Sequence, residues 1–482
     1  MDWKAAQAGF DEALAGHDSP RDSYESLFRT LQGFDVEEIA RREQLQQVSL
    51  INQGITFTVY GREEGVERVF PFDFVPRVIS GSEWREVERG LMQRLETINL
   101  FLADIYSDQK CLRDGVIPHD LVFERGDFRR EIIGTRPRHG IYTHVVGTDL
   151  LRGDDGQFLV LEDNCRCPSG VSYVLENRNL LSRVFPELFS QYGVRPVEQY
   201  PQMLLDTLRF TAPRGRENPT VAVLTPGVFN SAYFEHSFLA REMGVPLVEG
   251  RDLIVEDDQV YMRTTRGKQR VDVIYRRIDD EYIDPVIFDP SSMLGVPGLI
   301  HAWQAGNVTI ANAPGAGVAD DKAIYPWVPD LVKYYLDEDI LLPQIQTWVG
   351  RRPDEAAYIR DHLPELVVKL AGGAGGYGML VGPTASKSEI AEFSEAFDND
   401  PGAYIAQPLV EFSSHPTYID GNFVPRRVDL RPFALCGEHT RILPGGLTRV
   451  ALEEGSYVVN SSQGGGSKDT WILADSPEEG GS

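Results

Sequence analysis

Three side chains that carry oxygen ligands fall within one short segment that has the pattern of a β-hairpin. In residues 141–164, two apolar runs, IYTHVVGTDLL and QFLVLEDN, flank the turn sequence GDDG. Side chains two positions apart share a strand face, so Glu162 and Asn164 point the same way. If the two aspartates of GDDG form the turn, Asp149 lies opposite Val160 and on that same face. Two carboxylates and one amide oxygen suit Mg²⁺, and the alternative is an acidic hairpin tip that faces solvent.

A glycine-rich loop follows an apolar strand in the sequence ELVVKLAGGAGGYGMLVGP. Gly373, Gly375 and Gly378 satisfy the pattern G-x-G-x-x-G, but a dinucleotide site also requires a helix directly after the glycines. The run MLVGP is too short for that helix, so the segment predicts strand, loop and strand. Such a flap could cover phosphates with its backbone N–H groups. Lys369 precedes the loop, where its ammonium group would neutralise phosphate charge, unless it is an ordinary surface lysine beside a turn.

Two later strands carry further candidate groups. The sequence AYIAQPLVEFSS leads to Gln407 and a proline, which is a plausible hinge for an adenine ring to pack against, although the same pattern also describes a buried strand. In PRRVDLRPF, Arg427, Asp429 and Arg431 alternate and therefore share one strand face. Such a row is often a structural ion-pair network, whereas beside an ATP site its guanidinium groups would suit phosphates and carboxylates.

The composition limits the classes of protein to be considered. The chain has 482 residues, 42% of them hydrophobic, so we expect two or three domains. Its formal charge of −26 disfavours nucleic acid and anionic membranes as partners. Four cysteines in so long a chain indicate reduced thiols rather than a disulfide framework or a zinc site. The polar N-terminus has no signal pattern and no stretch is apolar enough to span a membrane, so the sequence predicts a soluble, cytoplasmic protein.

The surrounding pattern indicates the elements that would hold these groups. From Trp84 to Ile105, apolar side chains recur at three- and four-residue spacing, which predicts a buried helix. Residues 219–250 have the pattern strand, helix, strand, as in a βαβ unit of a parallel sheet, and residues 271–280 contain a further strand. We expect five regions, namely a mainly helical N-terminal region (1–110), a metal-binding part (111–215), a Rossmann-like α/β domain (216–315), a part with the lysines and the glycine loop (316–470) and a flexible tail (471–482).

Several longer blocks resemble the circularly permuted ATP-grasp family of type 2, which is related to glutathionylspermidine synthetase-like ligases. The blocks are LEDNCRCPSGVSYVLENR, GVADDKAIYPWVPDLVKYYL, KLAGGAGGYGML, and PRRVDLRPF with GGLTRVALEEGSYVVNSSQGGGSKDTW. The pair Glu162 and Asn164 precedes Lys322 and Lys369, which is the permuted order. The resemblance implies a mixed α+β and α/β chain with a circularly permuted ATP-grasp fold, a Rossmann-like pre-ATP-grasp domain and a helical N-terminal region.

The resemblance also implies roles for individual residues. These roles are magnesium binding by Asp149, Glu162 and Asn164, contact with ATP phosphates by Lys322 and Lys369, a flap of Gly372, Gly373, Gly375, Gly376 and Gly378, and an adenine hinge at Gln407.

One position departs from the family pattern. Related ligases often carry an arginine two residues before the first metal-binding aspartate, where it stabilises the transferring phosphoryl group. Here that position is Gly147. Arg166, Arg427 and Arg431 are the candidates to replace it as catalytic residues.

The activity that the resemblance implies is an ATP- and Mg²⁺-dependent carboxylate–amine ligase that acts through an acyl phosphate. Its substrates would be a small-molecule or peptide carboxylate and an amine acceptor. The alternative is a catalytically inactive ATP-binding scaffold that works through a protein partner. Gly147 favours the scaffold, while three metal ligands and both lysines favour the ligase.

Overall fold

The computed structural model describes residues 9–16, 19–52, 54–59, 66–124, 126–371, 378–460 and 464–474. Within these ranges the helices are α1 Glu25–Gln32, α2 Val36–Asn52, α3 Gly81–Ile105, α4 Lys110–Arg113, α5 His119–Phe123, α6 Val171–Val184, α7 Pro186–Phe189, α8 Tyr200–Phe210, α9 Tyr233–Met243, α10 Asp280–Ile283, α11 Leu299–Gln304, α12 Val328–Leu336, α13 Pro353–Asp361 and α14 Lys387–Asn399.

The strands are distributed along the same ranges. They are β1 Leu14–Ala15, β2 Ser19–Pro20, β3 Thr56–Val59, β4 Val66–Val69, β5 Phe72–Ile79, β6 Val145–Arg152, β7 Phe158–Asn164, β8 Val221–Leu224, β9 Leu247–Val248, β10 Leu253–Glu256, β11 Gln259–Thr264, β12 Gly267–Val271, β13 Val273–Arg276, β14 Thr309–Ala311, β15 Trp348–Val349, β16 Leu366–Leu370, β17 Leu380–Val381, β18 Tyr404–Pro408, β19 Ser414–Ile419, β20 Asn422–Cys436, β21 Thr440–Val450 and β22 Gly466–Ile472.

The largest sheet, which we call the central sheet, combines strands that are far apart in the sequence. Its order is β5-β22-β21-β20-β6-β7, and β19 also pairs with β20. The neighbours are antiparallel, except that β5 and β22 are parallel. Because β20 lies between β6 and β21, the arginine-rich strands near the end of the chain are adjacent to the hairpin that carries the candidate metal ligands.

The hairpin of β6 and β7 has a different register from the one that its turn sequence predicts. Leu150 pairs with Val160, and the strands are joined by the longer loop 153–157. The register then shifts between Asp149 and Leu150, so that Asp149 lies directly opposite Glu162. The prediction that Asp149 faces Val160 was wrong. It assumed a turn with the two aspartates at its centre, whereas the longer loop and the bulge each shift the pairing by one residue. The shared face of Asp149 and Glu162 is nevertheless retained.

A parallel sheet forms the middle of the chain. Its order is β14-β13-β8-β9, with every pair parallel, and α9 connects β8 to β9. This arrangement confirms the βαβ interpretation of residues 219–250 and the strand expected in 271–280. The three antiparallel strands β10, β11 and β12 form a separate small sheet between β9 and β13 in the sequence.

A third sheet carries the lysine strand. Its order is β15-β18-β16-β17, and β16 pairs with β17 antiparallel, with Val368 opposite Leu380. The structure therefore has the strand, loop and strand that the sequence predicts. The predicted flap residues Gly372, Gly373, Gly375 and Gly376 lie outside the described residues, whereas Gly378 is described and has a φ of +68°.

Helix α3 confirms the buried helix that the apolar spacing predicts. It begins with a capping box in which Ser80 and Glu83 bond each other's backbone N–H groups. A side chain at Gly90 would place its Cβ 2.4 Å from the Cβ of Leu342, so the glycine permits a close approach to the segment after α12. The N-terminal region also contains β5, which belongs to the central sheet.

Two further observations concern the cysteines and the lengths of the apolar helices. The four cysteines are free, and three of them are buried. In the part of the chain that the structure describes, no helix is both long enough and apolar enough to cross a membrane.

A buried histidine at the start of the hairpin gives a prediction for stability against pH. His144 is 0% exposed, and burial lowers its pKa to about 3, with a smaller contribution from His139. Since the pKa in the unfolded chain is near 6.5, the stabilising contribution is fully present above about pH 6.5 and is lost as the pH falls through that value toward 3. Between pH 7 and pH 5 the loss for one such histidine is about 2 kcal/mol.

The measurement is urea unfolding of the wild type and His144→Leu at pH 7 and pH 5. We expect the difference in unfolding free energy between pH 7 and pH 5 to be about 2 kcal/mol smaller in His144→Leu, because leucine does not titrate. His119→Gln is the control, since His119 is exposed. An equal pH dependence in His144→Leu and the wild type would contradict the prediction.

Candidate active site

Strand β7 directs alternate side chains to opposite faces of the central sheet. Asp163 points into the core and accepts a hydrogen bond of 2.8 Å from Nε of Arg94, whose side chain is 0% exposed. Glu162 and Asn164 flank it in sequence and are half-buried on the other face. The buried ion pair fixes the strand, and the two predicted metal ligands thereby face the site with Asp149 beside them.

Asn312, just after β14, connects the parallel sheet to the start of β6 and to the segment that follows β7. Its Oδ1 accepts from the backbone N–H groups of His144 and Val145 at 2.7 and 2.8 Å. Its Nδ2 donates to the carbonyl oxygens of Val145 and Cys165 at 2.7 Å and to that of Arg166 at 3.2 Å. The residue is 1% exposed. This single side chain therefore sets the position of the start of β6 relative to the end of β7.

The carboxylate of Asp149 is held by two arginines. Arg431 donates from Nε to Oδ1 at 2.5 Å and from Nη2 to Oδ2 at 2.8 Å, and Arg449 donates from Nη2 to Oδ2 at 2.7 Å. Burial alone would raise the pKa of Asp149, but the two guanidinium groups outweigh it and hold the pKa well below its usual range. Asp149 is therefore an anion that orients two cations.

Arg449 is a site residue that the sequence reasoning missed. It lies opposite Asp429 in the pairing of β20 with β21 and donates from Nε to both oxygens of Asp429, at 2.9 and 3.0 Å. Arg449 thus bridges Asp429 and Asp149. Among the described residues, no ion pair joins Asp429 to Arg427 or Arg431, its neighbours in the alternating row. The alternating pattern of LTRV, which contains Arg449, indicates a strand. The sequence does not show which strand lies beside it, so it could not identify Asp429 as the partner of Arg449.

The two predicted phosphate-binding lysines come from separate segments, and the charge of Glu162 acts on both. Nζ of Lys322 lies 3.3 Å from Oε2 of Glu162. The backbone N–H of Lys322 donates to the carbonyl oxygen of Ala371 at 3.2 Å, which holds this segment against the end of β16. Burial lowers the pKa of Lys369 on β16, and the charges of Glu162 and Lys322 also act on it. The structure therefore brings Lys322, Lys369 and Glu162 into one charged group.

Gln407 lies beside Lys369 in the neighbouring strand. Nζ of Lys369 donates to Oε1 of Gln407 at 2.9 Å, and Nε2 of Gln407 donates to Oγ1 of Thr347 at 2.9 Å. Gln407 is 4% exposed, so its side chain supports the lysine from within the sheet. The adenine hinge at Gln407 remains a prediction.

Gly147 is the position where related ligases often carry an arginine, and here the side chain of Arg431 crosses it. A Cβ at residue 147 would lie 3.2 Å from Cδ and 3.4 Å from Cγ of Arg431, and 3.3 Å from Cβ of Pro168. Gly147 pairs with Asn164 two residues from Asp149 on the same strand. The glycine thus leaves the space that Arg431 uses to reach Asp149.

The other two candidate arginines are bound elsewhere. Arg166 donates from Nε to Asp320 at 2.7 Å, on the segment before Lys322. Arg427 donates to Glu411 at 3.1 Å and lies 3.7 Å from the centre of the Tyr457 ring. Of the three candidates, Arg431 is the one that the structure places on Asp149.

A cavity of about 90 Å³ adjoins the two arginines. Its lining combines guanidinium groups, hydroxyl groups, an amide and two aromatic rings that stack at 4.0 Å. The lining includes Phe70, Ser169, Tyr173, Ser231, Arg431 and Arg449. Glu235 also lines it, but this carboxylate accepts bonds from the backbone N–H groups of Gly170 and Ser172 at the start of α6.

The donor set fits a hard cation such as Mg²⁺. Glu162 and Asp149 offer carboxylate oxygens from opposite strands, and Asn164 uses Nδ2 to donate to the carbonyl of Gly147 at 3.0 Å, which leaves Oδ1 as an acceptor. Over the described ranges, no three His, Cys, Asp or Glu side chains form a metal-binding group by themselves. A site of two carboxylates, one amide and nucleotide phosphates is consistent with that finding.

A family model described as circularly permuted ATP-grasp type 2 matches residues 76–451. The chain belongs to this family. Among solved structures, this ATP-grasp chain is similar to a glutathione synthetase-like effector from Globodera pallida in its apo form, with 12% sequence identity and a TM-score of 0.58. That likeness covers 91% of this chain and 98% of the other. It shows the fold alone, and with the family match it confirms the fold class that the sequence predicts.

The ATP-grasp chain also has similar sequences among curated proteins. It is 50% identical over 470 residues to an uncharacterized protein of Synechocystis sp., a match that covers 97% of this chain and 98% of the relative. It is 41% identical over 467 residues to a Frankia alni protein named "Putative glutamate--cysteine ligase 2-3", a match that covers 96% of this chain and 54% of that protein. Nearly half of the Frankia relative therefore lies outside the match, and its name describes the whole protein.

Proposed function

We propose that this chain is an ATP- and Mg²⁺-dependent ligase that joins a carboxylate to an amine through an acyl phosphate. Membership of the ATP-grasp family and the ligase names of the Frankia relatives support a ligase. The observation that carries the proposal is the meeting of basic side chains from three segments with the carboxylates of Asp149 and Glu162. Such a group of charges suits the binding and transfer of a phosphoryl group.

The proposed reaction has two steps. An oxygen of the substrate carboxylate attacks the γ-phosphorus of ATP, which forms an acyl phosphate and releases ADP. The amine then attacks the acyl carbon, phosphate departs with the electrons of the broken C–O bond, and the amine loses a proton. Magnesium, when held by Asp149, Glu162 and Asn164, would supply positive charge to the phosphate oxygens. Lys322 and Lys369 would neutralise and orient the same phosphates.

Arg431 is the residue that we propose as the replacement for the arginine absent at position 147. Its guanidinium lies on Asp149, across the backbone of Gly147, and its Nη1 donates to the carbonyl of Ser169 at 3.2 Å. A guanidinium at this place would stabilise the charge that develops on the transferring phosphoryl group. The positions of Arg166 and Arg427 on other carboxylates support the same choice.

The cavity beside Arg431 is where we propose that the reacting carboxylate binds. Arg431 borders both the cavity and Asp149, so an anion in the cavity would lie next to the position of phosphoryl transfer. A volume of about 90 Å³ holds only a few heavy atoms, since a cavity of roughly 150 Å³ accommodates benzene. The cavity would therefore receive the carboxylate end of a substrate whose remainder extends outward.

The test that separates a ligase from an inactive scaffold is acceptor-dependent release of ADP. Purified protein is offered ATP and Mg²⁺ with pools of amino acids, small peptides and polyamines. A ligase releases ADP over many turnovers only when both a carboxylate and an amine are supplied, because a carboxylate alone takes each protein molecule no further than one acyl phosphate. Nucleotide binding without any release that depends on these acceptors would instead support the scaffold.

Replacing Lys369 by methionine should weaken the binding of a Mg²⁺–ATP analogue by about tenfold or more, because a charged hydrogen bond to phosphate is lost. The measurement is isothermal titration with a non-hydrolysable analogue. Lys387→Met, an exposed position in α14, is the matched control and should bind as the wild type does. Unchanged affinity in Lys369→Met would refute the assignment of this lysine to the phosphates.

A further inference from the structure

Both carboxylates proposed to bind magnesium are neutralised by side chains of the chain itself. Arg431 and Arg449 hold Asp149, and Lys322 lies on Glu162. Arg431 occupies one oxygen and shares the other with Arg449, so both oxygens of Asp149 are engaged. A cation that is to be coordinated by Asp149 must therefore displace a guanidinium N–H group from it.

We propose that Arg431 and Lys322 act as internal counter-ions that keep free Mg²⁺ out, so that the metal enters as its complex with the nucleotide. When that complex binds, its phosphates take over the two cations, and the released carboxylates coordinate the metal. This inference rests on the proposed function, because it describes how the same site is loaded. It assigns to Arg431 a second role before its role in phosphoryl transfer.

The charge balance of the site supports this order of binding. Lys322, Lys369, Arg431 and Arg449 carry four positive charges, and Asp149, Glu162 and Asp429 carry three negative charges, which leaves a net charge of +1. A free divalent cation would approach a group that is already positive. The metal–nucleotide complex is itself an anion, so the same charges attract it. The neighbouring charges thus favour the complex over the bare ion.

The contacts also indicate which arginine moves. In the described part of the chain, Arg449 pairs with two carboxylates, Asp149 and Asp429, and its side chain is 9% exposed. Among the described residues, Arg431 forms an ion pair with no carboxylate other than Asp149; its side chain is 14% exposed, and it lines the cavity. Release of Arg431 breaks one ion pair and its hydrogen bond to the carbonyl of Ser169, whereas release of Arg449 would break ion pairs with two carboxylates. Arg449 therefore stays in place as Asp149 changes partners.

The experiment follows Mn²⁺, a paramagnetic substitute for Mg²⁺, by the electron spin resonance signal of the free ion. We expect the wild type to bind Mn²⁺ weakly on its own and strongly with a non-hydrolysable ATP analogue. Arg431→Met and Lys322→Met should each raise the affinity for Mn²⁺ alone by about tenfold or more, because the first frees Oδ1 of Asp149 and the second frees the carboxylate of Glu162. If Arg431→Met does not fold, Lys322→Met still tests the inference, because it removes the counter-ion of the other carboxylate.

Lys369→Met is the matched control, since it removes one positive charge from the same group but frees no carboxylate. Its affinity for Mn²⁺ alone should rise far less. Equal increases in all three variants would overturn the inference, because the effect would then be one of net charge only. Tight binding of Mn²⁺ by the wild type without nucleotide would also overturn it and would leave the ligase proposal intact. Failure of the analogue to bind at all would instead refute the proposed function.

Discussion

Replacing Arg431 by alanine is expected to lower kcat by about a thousandfold, with a much smaller change in the KM for ATP. An arginine that contacts the transferring phosphoryl group stabilises the transition state more than bound ATP, and in other phosphoryl-transfer enzymes such a residue contributes about 10³ to 10⁵ in rate. Here the guanidinium is held by Asp149 and lies over Gly147, next to the proposed substrate cavity. The measurement is steady-state kinetics with a carboxylate and amine pair found by ADP release.

Two sets of variants make this prediction specific. Arg166→Ala and Arg427→Ala should lose far less of kcat, because their guanidinium groups lie on Asp320 and Glu411. Adding Gly147→Arg to Arg431→Ala should recover part of the lost rate, since removal of Arg431 relieves its two close contacts with a Cβ at 147 and leaves the one with Cβ of Pro168, at 3.3 Å. Near-normal kcat in all three alanine variants would contradict the idea of a substitute arginine.

Replacing Asn312 by leucine is expected to lower the free energy of unfolding by about 3 to 5 kcal/mol. The substitution would leave two backbone N–H groups and three carbonyl oxygens at the ends of β6 and β7 without the partner they now have. A buried polar group without a partner is costly, and here several occur at one place. Urea unfolding gives the free energy, provided that a single transition is observed.

Asn422→Leu is the control for the loss of an amide. Asn422 is exposed, and its Nδ2 donates to the carbonyl of Asp420 at 3.1 Å. Its replacement should change the unfolding free energy by about 0.5 kcal/mol or less. If Asn312→Leu were no less stable than Asn422→Leu, the idea that Asn312 connects the parallel sheet to the hairpin would fail.

The sequence by itself determined the features that depend on local periodicity. Alternation along a strand placed Glu162 and Asn164 on one face with Asp163 on the other, and the structure agrees. The short run after the glycines predicted strand, loop and strand, and β16 and β17 have that arrangement. Apolar spacing predicted α3, and the strand and helix pattern after residue 219 predicted the parallel sheet. These features repeat every two or 3.6 residues, so a short window contains the whole signal.

Only the tertiary structure decided the partners of the charged side chains. Asp149 and Arg431 are 282 residues apart, and Asp149 and Arg449 are 300 apart, and they meet because β6 lies beside β20 and β20 beside β21. No local pattern states which strands are neighbours, so the row of Arg427, Asp429 and Arg431 did not show that Arg449 is the partner of Asp429. The register of the hairpin also depended on a bulge that its turn sequence does not encode. Strand pairing and side-chain contacts depend on the free energy of the whole packed chain. The reason for a glycine at position 147 therefore became clear only from the tertiary structure, in which the side chain of Arg431 lies across it.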